Sequence, residues 1–135
     1  VQARKLQQAQ YSFKPVYFDF DSSAIRSDQV EILDHNVKAI KRATRKGKTV
    51  VVEGHADKYA GSPEYNMHLS ERRAQQVKEY LVQHGVPASR LKVVGRGDTM
   101  CIVPSGTKEQ QAPNRRVEFY VLSDKEAEVA HKQTT

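Results

Sequence analysis

The chain has 135 residues and a formal net charge of +6, with 38% apolar and 28% charged residues. That size suits one domain with a moderate core, and no apolar run approaches the roughly 18 to 20 residues needed to span a bilayer. A single cysteine, Cys101, excludes an internal disulfide and a cysteine metal framework; it is expected to be a partly buried, inert thiol.

The positive charge invites a nucleic-acid reading, but the basic residues are scattered and no aromatics are interleaved with them as a stacking platform requires. Arg42, Arg45, Lys46 and Lys48 fall at a predicted helix end, where they complement its dipole without any partner. No nucleic-acid partner is expected. There is no initiator Met, and Val1-Gln2-Ala3-Arg4-Lys5 does not open a signal peptide. The chain is therefore expected to be a processed or excised piece.

Residues 1–15 are polar and Gln-rich, ending in Pro15, and are expected to form a linker or a fraying helix. Val16 to Phe20 alternates as a strand does, with Val16, Phe18 and Phe20 on the core face and Asp19 oddly placed for an apolar element. Ser27-Asp28, with Glu31 three residues on, has the form of a capping box for a helix whose period is carried by Val30, Leu33, Val37 and Ile40. Gly47 ends that helix.

Thr49 to Glu53 is a β-branched strand. The stretch 54–61 is a loop, and Ser62-Pro63 starts the next helix with a cap and a proline at its first position. That helix runs to about Gln83, before His84-Gly85-Val86-Pro87. Leu91 to Val94 is a third strand, 95–113 a long irregular excursion, and Val117 to Val121 a fourth strand. A short helix is expected after Ser123. The order predicts an α/β two-layer sandwich: βαβαβ plus a final strand, in a four-stranded mixed sheet with helices on one face. Right-handed crossovers predict parallel pairing of the first strands, with the last strand closing the sheet.

Along the second helix Asn66, Leu69, Arg73, Val77 and Tyr80 form one stripe. A guanidinium inside a core-facing stripe needs a partner, since burying it alone costs several kcal/mol or more. Asp57, just past the second strand, is the nearest candidate by layout. His55 and His68 lack helical ligand spacing and a third ligand, so no metal or cofactor is expected. Asp19 with Asp57 has the form of a carboxylate pair for glycan hydrolysis, which needs two such groups about 5 to 9.5 Å apart. An arginine beside one of them suits binding and spoils a general acid. No enzyme is expected.

The segments Tyr17-Phe18-Asp19-Phe20-Asp21-Ser22, Val52-Glu53-Gly54-His55-Ala56-Asp57 and Gly61-Ser62-Pro63-Glu64-Tyr65-Asn66 carry polar groups where apolar ones were due. With Leu69-Ser70-Glu71-Arg72-Arg73-Ala74, Gly85-Val86-Pro87-Ala88, Gly95-Arg96-Gly97 and Asn114-Arg115-Arg116-Val117-Glu118, they resemble the peptidoglycan-binding domain of the OmpA C-terminal family. The likeness is greatest to its peptidoglycan-associated lipoprotein branch. It covers residues 16–122, and leaves 123–135 as a tail; Cys101 to Ala112 matches no family motif.

The resemblance implies non-covalent binding of the peptidoglycan stem peptide at its meso-diaminopimelate end, anchoring an envelope protein to the wall. Asp57 would hold the ammonium and Arg73 the carboxylate, with Asn66, Asp19, Asn114, Arg115 and Arg116 contacting the stem or supporting Asp57. It also implies a periplasmic location, attachment to the outer membrane only through a missing N-terminal anchor, and Tol-type envelope proteins as partners. The alternatives are a flagellar-stator wall anchor sharing this fold, a wall hydrolase, and an Asp57–Arg73 ion pair that is structural only.

Overall fold

The computed structural model describes residues 10–122. The regular elements are β1 (Val16–Tyr17), α1 (Val30–Arg45), β2 (Val50–Gly54), α2 (Pro63–Gln83), β3 (Leu91–Gly95) and β4 (Arg116–Val121). The sheet order is β1-β4-β2-β3, with β2 and β3 parallel and β4 antiparallel to both β1 and β2. It is the expected four-stranded mixed sheet. The first two strands do not pair, however, because β4 enters between them rather than closing an edge.

Both helices cover one face. Val50 and Val52 from β2, Leu91 from β3 and Val117, Phe119 and Val121 from β4 join Leu33, Val37 and Ile40 of α1 and Ala74, Val77 and Leu81 of α2 in one core. The period-2 pleat sends the intervening residues to the other face, where Val51, Tyr120 and Leu122 form a smaller cluster. Among the described residues no helix is long and apolar enough to cross a membrane.

α2 sits very close to the sheet. Gly54 and Gly95 are register partners on β2 and β3. A Cβ at Gly54 would lie 1.8 Å from the Ser70 carbonyl oxygen, and one at Gly95 would lie 2.8 Å from Ser70 Oγ. The two missing side chains make the seat for Ser70, whose hydroxyl accepts from the Gly97 amide at 2.8 Å. One turn on, the same helix face delivers Arg73.

Three local expectations change. β1 is short because the chain turns at Asp19, whose carbonyl accepts from the Ser22 amide. Phe18 is buried as expected, but Phe20 is only partly so, lying under the Lys108 ammonium. The capping box at Ser27-Asp28 is not formed: Ser27–Gln29 is a single 3-10 turn, and α1 opens at Val30 without a side-chain cap. The Asp28 carboxylate takes Arg26 instead, and Gln29 Oε1 accepts from the Tyr17 amide at 2.9 Å. By contrast α2 begins as expected, with Ser62 Oγ accepting from the Tyr65 amide and Pro63 in the first turn.

The end of the expected linker belongs to the core. Tyr11 and Phe13 are buried and stacked, and Phe13 meets Phe119 edge-on. Asn36 of α1 pins this stretch, accepting from the Lys14 amide and donating to the Lys14 carbonyl. The helix expected after Ser123 lies outside the described residues.

Candidate functional site

Residues that read as oddly polar in sequence converge at one end of the sheet, around the loop leaving β2. Asp57 and Arg73 are there, each essentially fully buried. They are not hydrogen-bonded to each other. Arg73 donates from Nε to the Ser22 carbonyl (2.8 Å), from Nη1 to the His55 carbonyl (2.8 Å) and from Nη2 to the Asp19 carbonyl (3.0 Å). Its guanidinium also lies over the Phe18 ring, 5.4 Å from the centroid. The partner demanded by a buried arginine is thus three backbone oxygens from two loops. One N–H on each terminal nitrogen has no such bond among the described residues.

Burial pulls the Arg73 pKa down to about 10, opposed by the charge of Asp57 and reinforced by that of Arg115. The guanidinium stays charged at neutral pH. Asp57 meets Arg115 directly: Oδ2 accepts from Arg115 Nη1 at 2.9 Å, while Oδ1 accepts from the Tyr59 amide at 3.0 Å. Arg115 reaches further, donating to the Phe18 and Lys108 carbonyls. One carboxylate therefore stands among two guanidiniums.

Asn66, two turns before Arg73 on the same helix face, is also buried. Its Nδ2 donates to the Gly61 carbonyl and to Asp98 Oδ2, while Oδ1 is a buried acceptor without a partner. Asp98 belongs to the excursion and was not foreseen as a neighbour of this site. Tyr65 was also missed; its hydroxyl bonds the Asp21 carboxylate across the site's rim, and Asp21 sits at a positive φ of 50°.

The other expected residues separate into different roles. Asp19 contributes its carbonyl, whereas its carboxylate is 71% exposed and lies 3.7 Å from Arg26. Asn114 is a clasp: it accepts from the Val103 amide and donates to the Val103 carbonyl, holding the excursion as a strand partner would. Arg116 is buried on the opposite sheet face, donating to Glu118 and to the Asn114 and Met100 carbonyls. Only Arg115 of the Asn-Arg-Arg motif touches Asp57.

His55 orders the loop. Its amide donates to the Arg116 carbonyl, its carbonyl holds Arg73, and its ring meets Glu53 at 3.0 Å. Among the described residues no group of three or more His, Cys, Asp or Glu is arranged for a metal ion.

The family model of the OmpA family matches residues 17–115, the span that holds Asp57, Asn66, Arg73 and Arg115. The chain belongs to the OmpA family. Among its OmpA-family relatives, the peptidoglycan-associated lipoprotein of Pseudomonas aeruginosa is 40% identical over 103 residues. That match covers 76% of this chain and 59% of the relative. The chain thus spans about three fifths of that relative's length.

Two solved structures carry the OmpA-family likeness into three dimensions. The peptidoglycan-associated lipoprotein from Burkholderia pseudomallei has a TM-score of 0.74 at 25% identity, covering 82% of this chain and 92% of that one. The C-terminal domain of Helicobacter pylori MotB has a TM-score of 0.73 at 26% identity, covering 88% and 92%.

Proposed function

We propose that this domain binds the peptide stem of peptidoglycan non-covalently, at its diaminopimelate end, and so anchors an envelope protein to the cell wall. The observation that carries the reading is the charge balance around Asp57: one buried carboxylate beside the guanidiniums of Arg73 and Arg115. Asp57 is shared between the two guanidiniums, and Arg73 has one N–H left on each terminal nitrogen with which to grip a ligand carboxylate bidentately. An ammonium beside that carboxylate would find the remaining lone pairs of Asp57 and the unpartnered Asn66 Oδ1. The zwitterionic end of diaminopimelate supplies both charges on one carbon.

Kinship supports the same reading, since the relatives above include proteins named for their association with peptidoglycan. Periplasmic placement and attachment through an N-terminal anchor are proposed on that kinship, and Tol-type partners on the family resemblance. A stator anchor, favoured by the likeness to MotB, would use the same site and differ in what is joined upstream. Hydrolysis is disfavoured because the Asp19 carboxylate stands out on Arg26 rather than in the enclosed site with Asp57. Both Asp57 and Arg73 are enclosed, so entry requires the 59–61 loop or the 19–22 turn to yield.

Calorimetric titration with matched soluble stems is the test. Diaminopimelate stems should bind roughly ten to one hundred times more tightly than lysine stems. Lysine lacks the carboxylate whose charge-assisted bond contributes about 1.5 to 3 kcal/mol. Equal affinities would remove Arg73 from the site and return it to a purely structural role. In sedimentation with purified sacculi, Asp57→Asn should leave the protein in the supernatant, with its melting checked in parallel.

A further inference from the structure

Residues 101–112 of the excursion between β3 and β4 match no family motif, yet they are built against the Asp57 loop. Together they enclose a groove of about 270 Å³ lined by Lys58, Tyr59, Pro104, Ser105, Gly106 and Gln111. Its walls are wired to the primary site. The Tyr59 amide donates to Asp57 Oδ1, and Arg115 donates both to Asp57 and to the Lys108 carbonyl of the excursion.

The groove is held in shape. The Tyr59 ring is 50% exposed, but its hydroxyl donates to the Gly106 carbonyl at 2.8 Å, which fixes the ring as one wall. The buried Gln111 amide spans the floor between the Lys58 amide and the Gly106 carbonyl. Asn114 clamps the middle of the excursion through Val103. Among the lining residues Lys58 alone carries a charge. Its side chain is exposed and has no ion pair among the described residues.

We propose that this groove is a second subsite, in which Lys58 pairs with another free carboxylate of the ligand held at Asp57 and Tyr59 packs against the intervening backbone. The proposal rests on the stem-peptide reading above. An ammonium at the mouth of a polar-floored groove complements an anion, and the groove begins one residue beyond Asp57. Two stem carboxylates flank diaminopimelate, that of the γ-linked glutamate before it and that of the terminal alanine after it. Both present the same chemistry to Lys58.

The experiment is calorimetry on the whole chain with a soluble diaminopimelate tetrapeptide and two analogues, each amidated at one of those carboxylates. Amidating the carboxylate that Lys58 reads should weaken binding about two- to fivefold, the range of a partly exposed ion pair, and identifies which one it is. Lys58→Met should bind the free stem weaker by the same factor and no longer distinguish the analogues. The proposal is overturned if neither amidation changes the affinity, or if Lys58→Met keeps the discrimination. Failure of the unaltered chain to bind any of the three overturns the primary reading as well, and so separates the two failures.

Discussion

Asp57 and Arg115 meet at 2.9 Å across 58 positions of sequence, and this contact joins the loop after β2 to the entry of β4. Arg73, which the helix stripe had pointed at Asp57, instead draws the Asp19, Ser22 and His55 carbonyls together beneath it. The two arginines thus divide the work. One balances the acid, and the other fixes the backbone around it.

Arg73→Ala should be severely destabilising. It strands the buried His55 carbonyl and the part-buried Ser22 and Asp19 carbonyls; a buried acceptor left unsatisfied costs about 1 to 3 kcal/mol, so the total is on the order of 3 kcal/mol. Arg73→Lys should recover part of that loss, because one ammonium cannot span three acceptors presented to a planar fork. Urea unfolding of the two variants gives the answer directly. Equal midpoints for Arg73→Ala and the unaltered chain would refute the clasp.

Asp19→Ala should change little. The carboxylate is largely solvated against Arg26, and surface ion pairs of this kind contribute about 0 to 1 kcal/mol. The bond to Arg73 uses the backbone and survives the substitution. Sacculus binding should stay near that of the unaltered chain; a large loss would return the Asp19 side chain to the ligand site.

Gly54→Ala should fail to fold normally. The added Cβ would stand 1.8 Å from the Ser70 carbonyl oxygen, a backbone atom that can retreat only if α2 moves away from the sheet. Overpacking of this kind typically costs about 1 to 3 kcal/mol, and a backbone clash belongs at or above the upper end. Circular dichroism melting should show a lower midpoint, whereas Gly47→Ala has open space around its Cβ and bears only the strain of its positive φ.

Cys101 should alkylate slowly. Burial pushes its thiol above the ordinary value of 9.0, with the Lys58 charge acting in the opposite sense. A raised folded-state pKa adds stability that is complete below the unfolded value and is lost as pH rises through the folded one. The window therefore opens above about pH 9. At pH 8 iodoacetamide should modify the folded chain more slowly than the urea-unfolded chain, and Lys58→Met should slow it further. A faster reaction in the folded state would contradict this environment.

What the sequence disclosed was local or periodic. The stripe Asn66, Leu69, Arg73 and Val77 is buried as its spacing required, and Ser62 and Pro63 start α2 by chemistry confined to four residues. Strand order was hidden because β4 pairs with segments some 65 and 100 positions away, and alternation records faces rather than neighbours. The partners of Arg73 were hidden for another reason: they are carbonyls, which every residue possesses and no letter marks. The division of Asn114, Arg115 and Arg116 among a clasp, a site contact and an opposite-face ion pair follows from that same strand placement.

The aromatic pair Tyr11 and Phe13 has a mechanical meaning. If the segment before residue 10 leads to a membrane, tension on it arrives first at this stack and at the Asn36 bonds to Lys14. It then reaches two-residue β1, and after that the 19–22 turn whose carbonyls seat Arg73. A load applied from that side must draw two rings out of the core before it can pry open the floor of the binding site. The proposed grip on the wall would then be shielded from the rope by a knot tied upstream of it.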